Sequence, residues 1–343
     1  MSSALSLFDI SDQARGSEKP APREAWCDVQ MGSEEYHQRP EMGSSVVKRA
    51  LIHPGRIDAP SGIHPKAAEY GNRIHTAVIE PEEIDRLYCV SPNPDEYPDA
   101  LRTSADLRDA LKSAGVKGYS GKKSAELVEM VRESVPGALL WADVLSRHGS
   151  ESKGKTFVSA EDWSEMYRVA DAVADHSVIR DQGIFSDGIG EASFFADVTC
   201  SKISGRSWAM KARPDWLQMG RRVSDLKTWA GGEGVESFYR AADRYHYDLS
   251  AALYLDVLRE HGHDSDVFQW VIVDKSTAKT GGRVIVHVVK MSPRFIERGR
   301  AKLALALRRI HQWQSSPVDY LREEEVEHEA EPPRYGWSGG AKL

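Results

Sequence analysis

The sequence predicts an α/β sandwich, on three observations. Residues 207–217 and 221–229 are two runs of mixed apolar residues, split by Gln218-Met219-Gly220, and Met219-Gly220 reads as the short turn of a β-hairpin. Helical spacing flanks these runs, with Trp163, Met166, Tyr167, Ala170, Val173 and Ala174 upstream and Phe238, Ala242, Tyr245, Leu249, Leu253 and Val257 downstream. Two further strand-like runs and a last helix follow, giving the order helix, three strands, helix, two strands, helix.

The elements follow in order. Ser159-Ala-Glu-Asp162 opens a helix that runs to about Ile179. Residues 191–198 form the first strand, and the hairpin supplies the next two. A second helix covers about 236–260. Strands at 267–274 and 283–291 are joined by Lys279-Thr-Gly-Gly282 as a hairpin turn. Ser292 caps the last helix, with Pro293 at its first position and an end near Gln314.

The hairpin carries the chemistry. It sets Asp215 beside Asp225 on adjacent strands, and Asp225 and Lys227, two apart, share one strand face. Two hard carboxylates can hold Mg²⁺ or Mn²⁺, and a neighbouring ammonium can orient water or stabilise charge on a phosphate. The alternative is a solvated cross-strand charge pattern.

Pro214-Asp215 with Asp225-Leu-Lys227 resembles the signature of the PD-(D/E)xK nuclease superfamily. The resemblance implies an α-β-β-β-α-β core, a mixed sheet flanked by helices, here with one extra strand and helix. It also implies a third metal-side carboxylate at Glu191, in Gly190-Glu-Ala-Ser-Phe194, and a contribution from the backbone carbonyl of Leu226. Nearer the N-terminus, Met42-Gly-Ser-Ser-Val-Val-Lys48, His53-Pro54 and Tyr70-Gly-Asn-Arg-Ile-His75 resemble the opening of exonuclease VIII (RecE)-like exodeoxyribonucleases. That likeness implies a place for His75 beside the metal; the plainer reading packs it with Ile74 and Val78. In Tyr245-His-Tyr-Asp-Leu-Ser-Ala-Ala-Leu-Tyr254 the resembling proteins usually carry glutamine where this chain has Ser250. Ser250 and Tyr254 share a helix face, but serine is too short to replace glutamine's reach. For Tyr247, core packing is the preferred reading.

Residues 101–135 form a separate signal. Residues 103–115 read as a capped helix with a glycine stop, and Ser120-Gly-Lys-Lys-Ser-Ala begins a second. Two short helices with a Gly/Ser/Lys link resemble the SAP or helix-extended-loop-helix class of DNA-binding modules. Lys112, Lys117, Lys122 and Lys123 cluster where phosphates would be met. The alternative is a helical insertion that only packs on the larger domain.

Composition bounds the rest. The chain has 343 residues, 41% hydrophobic, with no run approaching a membrane span, and Met1 to Leu7 lacks the pattern of a signal peptide, so a cytoplasmic enzyme is expected. Three dispersed cysteines exclude a disulfide framework and argue against an iron-sulfur cluster. The net charge is −7, but residues 1–42 and 319–343 each carry −4. Residues 200–227 hold seven bases (Lys202, Arg206, Lys211, Arg213, Arg221, Arg222, Lys227) against two acids, so a phosphate track beside the aspartates is expected, with Lys211, Arg213, Arg221 and Arg222 as DNA contacts. The expected organisation is a disordered tail to residue 35, a nuclease domain over 36–100 and 136–318 interrupted by the insertion, and an acidic Pro/Gly-containing tail from 319. The resemblance as a whole implies a metal-dependent exodeoxyribonuclease. It would resect the 5′ strand of duplex ends for a single-strand annealing recombinase, as a homo-oligomer. The rivals are an endonuclease of the same superfamily and a DNA-binding protein with a degenerate core.

Overall fold

The computed structural model describes residues 24–60, 65–152, 154–200, 206–230, 234–279 and 283–324. In chain order the strands are β1 (Trp26–Asp28), β2 (Tyr88–Val90), β3 (Thr156–Val158), β4 (Ile189–Gly190), β5 (Ser193–Thr199), β6 (Ser207–Ala212), β7 (Trp216–Gln218), β8 (Arg222–Trp229), β9 (Phe268–Asp274) and β10 (Val286–Lys290). The first helices are α1 (Ser33–Gln38), α2 (Ser44–Ile52), α3 (Pro65–Ile79), α4 (Ile84–Leu87), α5 (Ser104–Ser113), α6 (Ser124–Ser134) and α7 (Trp141–Glu151). They are followed by α8 (Ala160–Ala174), α9 (Ser177–Gln182), α10 (Val235–Arg244), α11 (Tyr247–Arg259), α12 (Lys275–Lys279), α13 (Pro293–Ser315) and α14 (Pro317–Glu324).

The fold is mixed α/β. A five-stranded sheet runs β10-β9-β8-β7-β4, with β8 and β9 parallel and the other neighbours antiparallel. A three-stranded sheet runs β1-β5-β6. The parallel β8–β9 pair needs a crossover, which α10 and α11 supply. Because side chains alternate along β8, Val223 joins the core under α2, α11 and α13, whereas Leu226 joins the core under α3 and α8. Both faces of β8 and β9 are therefore covered, which is why β9 reads as a nearly continuous apolar run.

The structure departs from the sequence reading where expected elements are interrupted. The run 207–217 is two strands, because Pro214 has no N–H for a ladder and the chain leaves one sheet for the other at Arg213-Pro214-Asp215. The helix expected over 159–179 ends at Ala174, and α9 starts afresh after an extended His176. The helix expected over 236–260 breaks at His246, which adopts a left-handed φ of 51°. No glycine marks that break, so the sequence hides it. Between β9 and β10 lies α12, seeded by the Asp274 carboxylate accepting from Ser276 N at 2.9 Å. The tip of the expected turn, 280–282, is outside the described residues, as is Lys202.

Two expected boundaries also move. Within the expected N-terminal tail, β1 pairs with β5 in register Trp26↔Phe195, and the two rings stack at 4.0 Å. A three-residue edge strand is too short to show periodicity. At the other end α14 includes residues 319–324, while residues 1–23 and 325–343 of the two expected tails lie outside the described residues. The insertion closes five residues later than expected: Leu101 N donates to Leu139 O at 2.8 Å, and Leu140 packs with Leu107, Leu111, Leu127 and Val131. Its second helix begins at Ser124 rather than at the link. Among the described residues, no helix is long and apolar enough to cross a membrane.

Candidate metal centre

The two sheets meet where the chain crosses between them twice. Glu191 lies between β4 of the larger sheet and β5 of the smaller, and Asp215 lies between β6 of the smaller and β7 of the larger. Glu191 N donates to Asp215 O at 3.3 Å, tying the two crossings together. Glu191 has a φ of 52°, a conformation unfavourable for a residue with a Cβ, and such backbone strain concentrates at functional sites.

β7 begins only at Trp216, opposite Ser224, so β8 runs on past it with a free edge. There the Asp215 carboxylate replaces the missing strand, accepting from Leu226 N at 2.6 Å. The Leu226 carbonyl meets His75 Nε2 at 3.2 Å and accepts from Lys227 Nζ at 3.1 Å. α3 brings His75 in from the opposite side, its buried Ile74 and Val78 anchoring the helix. His75 Nδ1 is 3.6 Å from Glu191 and Nε2 is 3.7 Å from Asp215.

One donor atom from each of His75, Glu191 and Asp215 lies within 4.8 Å of the other two. Donors about 2.1 Å from one ion stand roughly 3 to 4 Å apart. A small inward movement therefore closes a shell around a divalent cation, with the Leu226 carbonyl beside it. The donor set fits the ion that the sequence implies. Asp225, expected as a second aspartate ligand, holds Lys227 Nζ at 2.5 Å through one carboxylate oxygen. Lys227 also lies 4.0 Å from Asp215.

The charges follow from this crowding. Burial pushes the Asp215 carboxyl up to about 6; the His75 charge opposes that shift and Asp225 adds to it. Burial opposes a charge on His75, but Asp215 and Glu191 outweigh it and raise the imidazole above its ordinary value. Burial likewise disfavours the Lys227 ammonium, and Asp225 and Asp215 overcome that and keep it protonated. Burial would raise Glu191, yet its bonds to His75 and Arg213 hold it below the usual range.

A ligating imidazole must be neutral and a ligating carboxyl ionised. His75 and Asp215 therefore both lose protons when a cation binds, and affinity should rise with pH through about 6, where Asp215 ionises, and on past the ordinary imidazole value, where His75 loses its proton. An imidazole among the donors suits Mn²⁺ better than Mg²⁺. Calorimetric titration should show tighter Mn²⁺ than Mg²⁺ binding. His75→Ala should narrow that gap with little loss of thermal stability; an unchanged gap would remove His75 from the shell.

The basic track expected from residues 200–227 is largely taken up inside the fold. Lys211 is buried and its ammonium donates to Tyr36 O and Arg39 O, each at 2.7 Å, capping the C-terminal end of α1. Arg213 supports the site rather than facing a substrate, donating to Glu191 at 2.7 Å, Ser193 Oγ at 2.9 Å and Met31 O at 2.6 Å. Arg222 is bonded to Gln182, and Arg221 pairs with Asp187 at 2.7 Å on the exposed rim. A local excess of charge does not say which way side chains point.

Ser250 lies one turn before Tyr254 on α11. Burial, followed by Tyr36, Asp225, Asp215 and Glu191, keeps the Tyr254 hydroxyl protonated, which sets it against the acidic cluster. Tyr247, read from sequence as core, packs on the core but also stands beside the site, with Lys227 Nζ 5.7 Å from its ring centre. Lys48, at the end of the Met42–Lys48 segment, sits half-buried on α2 beside buried Val47 and partly buried Leu51. Lys112, Lys117, Lys122 and Lys123 are exposed on the insertion, with Lys122 paired to Glu126 at 2.8 Å.

No protein-family model matches this chain, and no curated protein matches it. Among solved structures, a crystal structure from Eubacterium rectale described as a "Putative exonuclease" is similar over 69% of this chain and 92% of its own, with 14% identity and a TM-score of 0.35.

Proposed function

We propose that the protein is a metal-dependent nuclease of the PD-(D/E)xK type that hydrolyses linear double-stranded DNA from its ends. The observation that carries this reading is the convergence of His75, Glu191, Asp215 and the Asp225–Lys227 pair at the fork between the two sheets. A divalent cation held there supplies a Lewis acid for a phosphoryl oxygen and lowers the pKa of an adjacent water. Lys227 keeps a permanent positive charge where negative charge builds on the phosphate. Asp225 fixes that ammonium in place, and Arg213 fixes Glu191. The resemblance of the Pro214-Asp215 and Asp225-Leu-Lys227 segments to the superfamily signature supports the same chemistry.

The 5′-to-3′ polarity, the homo-oligomer and the annealing recombinase rest on the resemblance of residues 42–81 to exonuclease VIII-like proteins and are proposed on that ground alone. Incubating purified protein with linear and covalently closed duplex separates the readings. An exonuclease consumes only the linear form, an endonuclease cuts both, and a DNA-binding protein with a degenerate core cuts neither.

The insertion is proposed as a duplex-binding surface. Its lysines are exposed and its own core holds the two helices together. Lys122→Glu combined with Lys123→Glu should weaken duplex binding and flatten the salt dependence by about 0.9 in log–log slope for each phosphate that is no longer neutralised. Unchanged affinity and slope would leave the insertion as packing only.

A further inference from the structure

Beside the metal centre, α2 and the α10–α11 corner bring to Lys227 a second cation and aromatic rings that the hydrolytic reading does not use. The Lys48 ammonium stands 5.1 Å from the centre of the Tyr247 ring, and Lys227 stands 5.7 Å from the same centre. Lys227 is held by Asp225, whereas Lys48 has no carboxylate within ion-pair distance among the described residues. Burial and then the Lys227 charge lower the Lys48 amine to about 8, against the opposing pull of Asp225 and Asp248. An anion arriving from outside would supply the missing partner.

The aromatic side of the corner is exposed. The Tyr245 ring lies 6.0 Å from that of Tyr247, inclined by 31°, and Tyr245 is 51% exposed. His246, between them, pays for this display with a left-handed backbone. The corner is braced from below: fully buried Asp248 receives Arg298 at 2.6 Å and Lys302 at 2.9 Å. Gly299 lets α13 approach so closely that a Cβ there would collide with the Asp248 carbonyl. Alternating cations and open aromatic faces are how proteins follow a single nucleic-acid strand, phosphates on the former and bases on the latter.

We propose that Lys48, Tyr247 and Tyr245 form a strand subsite next to the metal centre, in which Lys48 holds the phosphate flanking the scissile one and Tyr245 stacks on a nucleobase. This inference rests on the nuclease reading and adds to it how the cut strand is held. Tyr247 is the floor between the two ammonium groups, and Tyr245 extends that floor outward.

The test uses the full chain with Ca²⁺, a labelled oligodeoxythymidylate for binding, and linear duplex with Mg²⁺ for turnover. Lys48→Met keeps the aliphatic stem and should weaken strand binding about tenfold, lowering the salt slope by about 0.7. Lys48→Arg should restore both. Tyr245→Ala should weaken binding roughly fivefold to a hundredfold with the slope unchanged, and should raise KM more than it lowers kcat. Wild-type affinity and slope in both Lys48→Met and Tyr245→Ala would overturn the subsite, as would a Lys48→Met defect that follows thermal stability and is not restored by arginine. A wild-type protein that cleaves DNA while the variants match it sinks only the subsite. A wild-type protein that neither binds nor cleaves sinks the nuclease reading beneath it as well.

Discussion

Lys227→Ala and Asp225→Asn should each lower the single-turnover cleavage rate by about 10²-fold or more, measured per folded molecule. The figure is that for removing one preorganised charge or donor from the place where negative charge accumulates. Lys227 contacts Asp225 at 2.5 Å and the Leu226 carbonyl at 3.1 Å, so its ammonium is held at the edge of the donor triangle by two partners. Asparagine at 225 keeps the shape and removes the charge that fixes this ammonium. Breaking a largely buried pair also destabilises the fold, by up to about 3–5 kcal/mol. The rates must therefore be compared at a temperature where circular dichroism shows both variants folded. Near-normal rates in either folded variant would remove the pair from the reaction.

Asp215→Asn should abolish cleavage and yet raise the melting temperature of the metal-free protein at neutral pH. The Asp215 carboxyl titrates at about 6 in the folded chain against an ordinary 3.8, because burial disfavours its charge. Between those two values the folded state keeps a proton that the unfolded state has lost, so stability falls as pH rises through that window. By pH 7 the whole penalty is present, on the order of 1–3 kcal/mol for a shift of this size. Asparagine mimics the protonated carboxyl, retains an acceptor for Leu226 N and escapes the penalty. Its advantage should vanish near pH 4, where wild-type Asp215 is itself protonated. Melting curves of the two proteins at pH 4 and pH 7 in chelator check the sign. A variant less stable than wild type at pH 7 would show that the Asp215 charge is not the source of strain. A penalty carried by the empty site and relieved by a cation is consistent with a site organised for binding rather than for stability.

Much of the fold was legible because its signals are local. Apolar periodicity marked α8 and α11, an apolar run after the Met219-Gly220 turn marked β8, and the Ser292-Pro293 pair marked the start of α13, where Ser292 Oγ accepts from Phe295 N at 3.3 Å. What the sequence could not supply is direction over distance. His75 and Leu226 are 151 residues apart, and nothing in α3 alone says that its imidazole meets that carbonyl. The turn at Met219-Gly220 was readable, but β7 beginning only at Trp216 was not, and that late start frees the β8 edge for Asp215. Lys211 and Arg213 show the same limit from the other side. Their charges suggested an outer track, while their side chains turn inward to carbonyls and to Glu191.

The central claim is that a divalent cation at the His75–Glu191–Asp215 fork drives phosphodiester hydrolysis, and metal depletion with reconstitution tests it most directly. Purified protein is stripped with EDTA, dialysed and offered linear duplex DNA with no added ion, then with Mg²⁺, Mn²⁺ or Ca²⁺. The expected result is no cleavage in the stripped protein, recovery with Mg²⁺ and with Mn²⁺ at lower concentration, and none with Ca²⁺. Full activity in the stripped protein, or no hydrolysis with any ion, would contradict it.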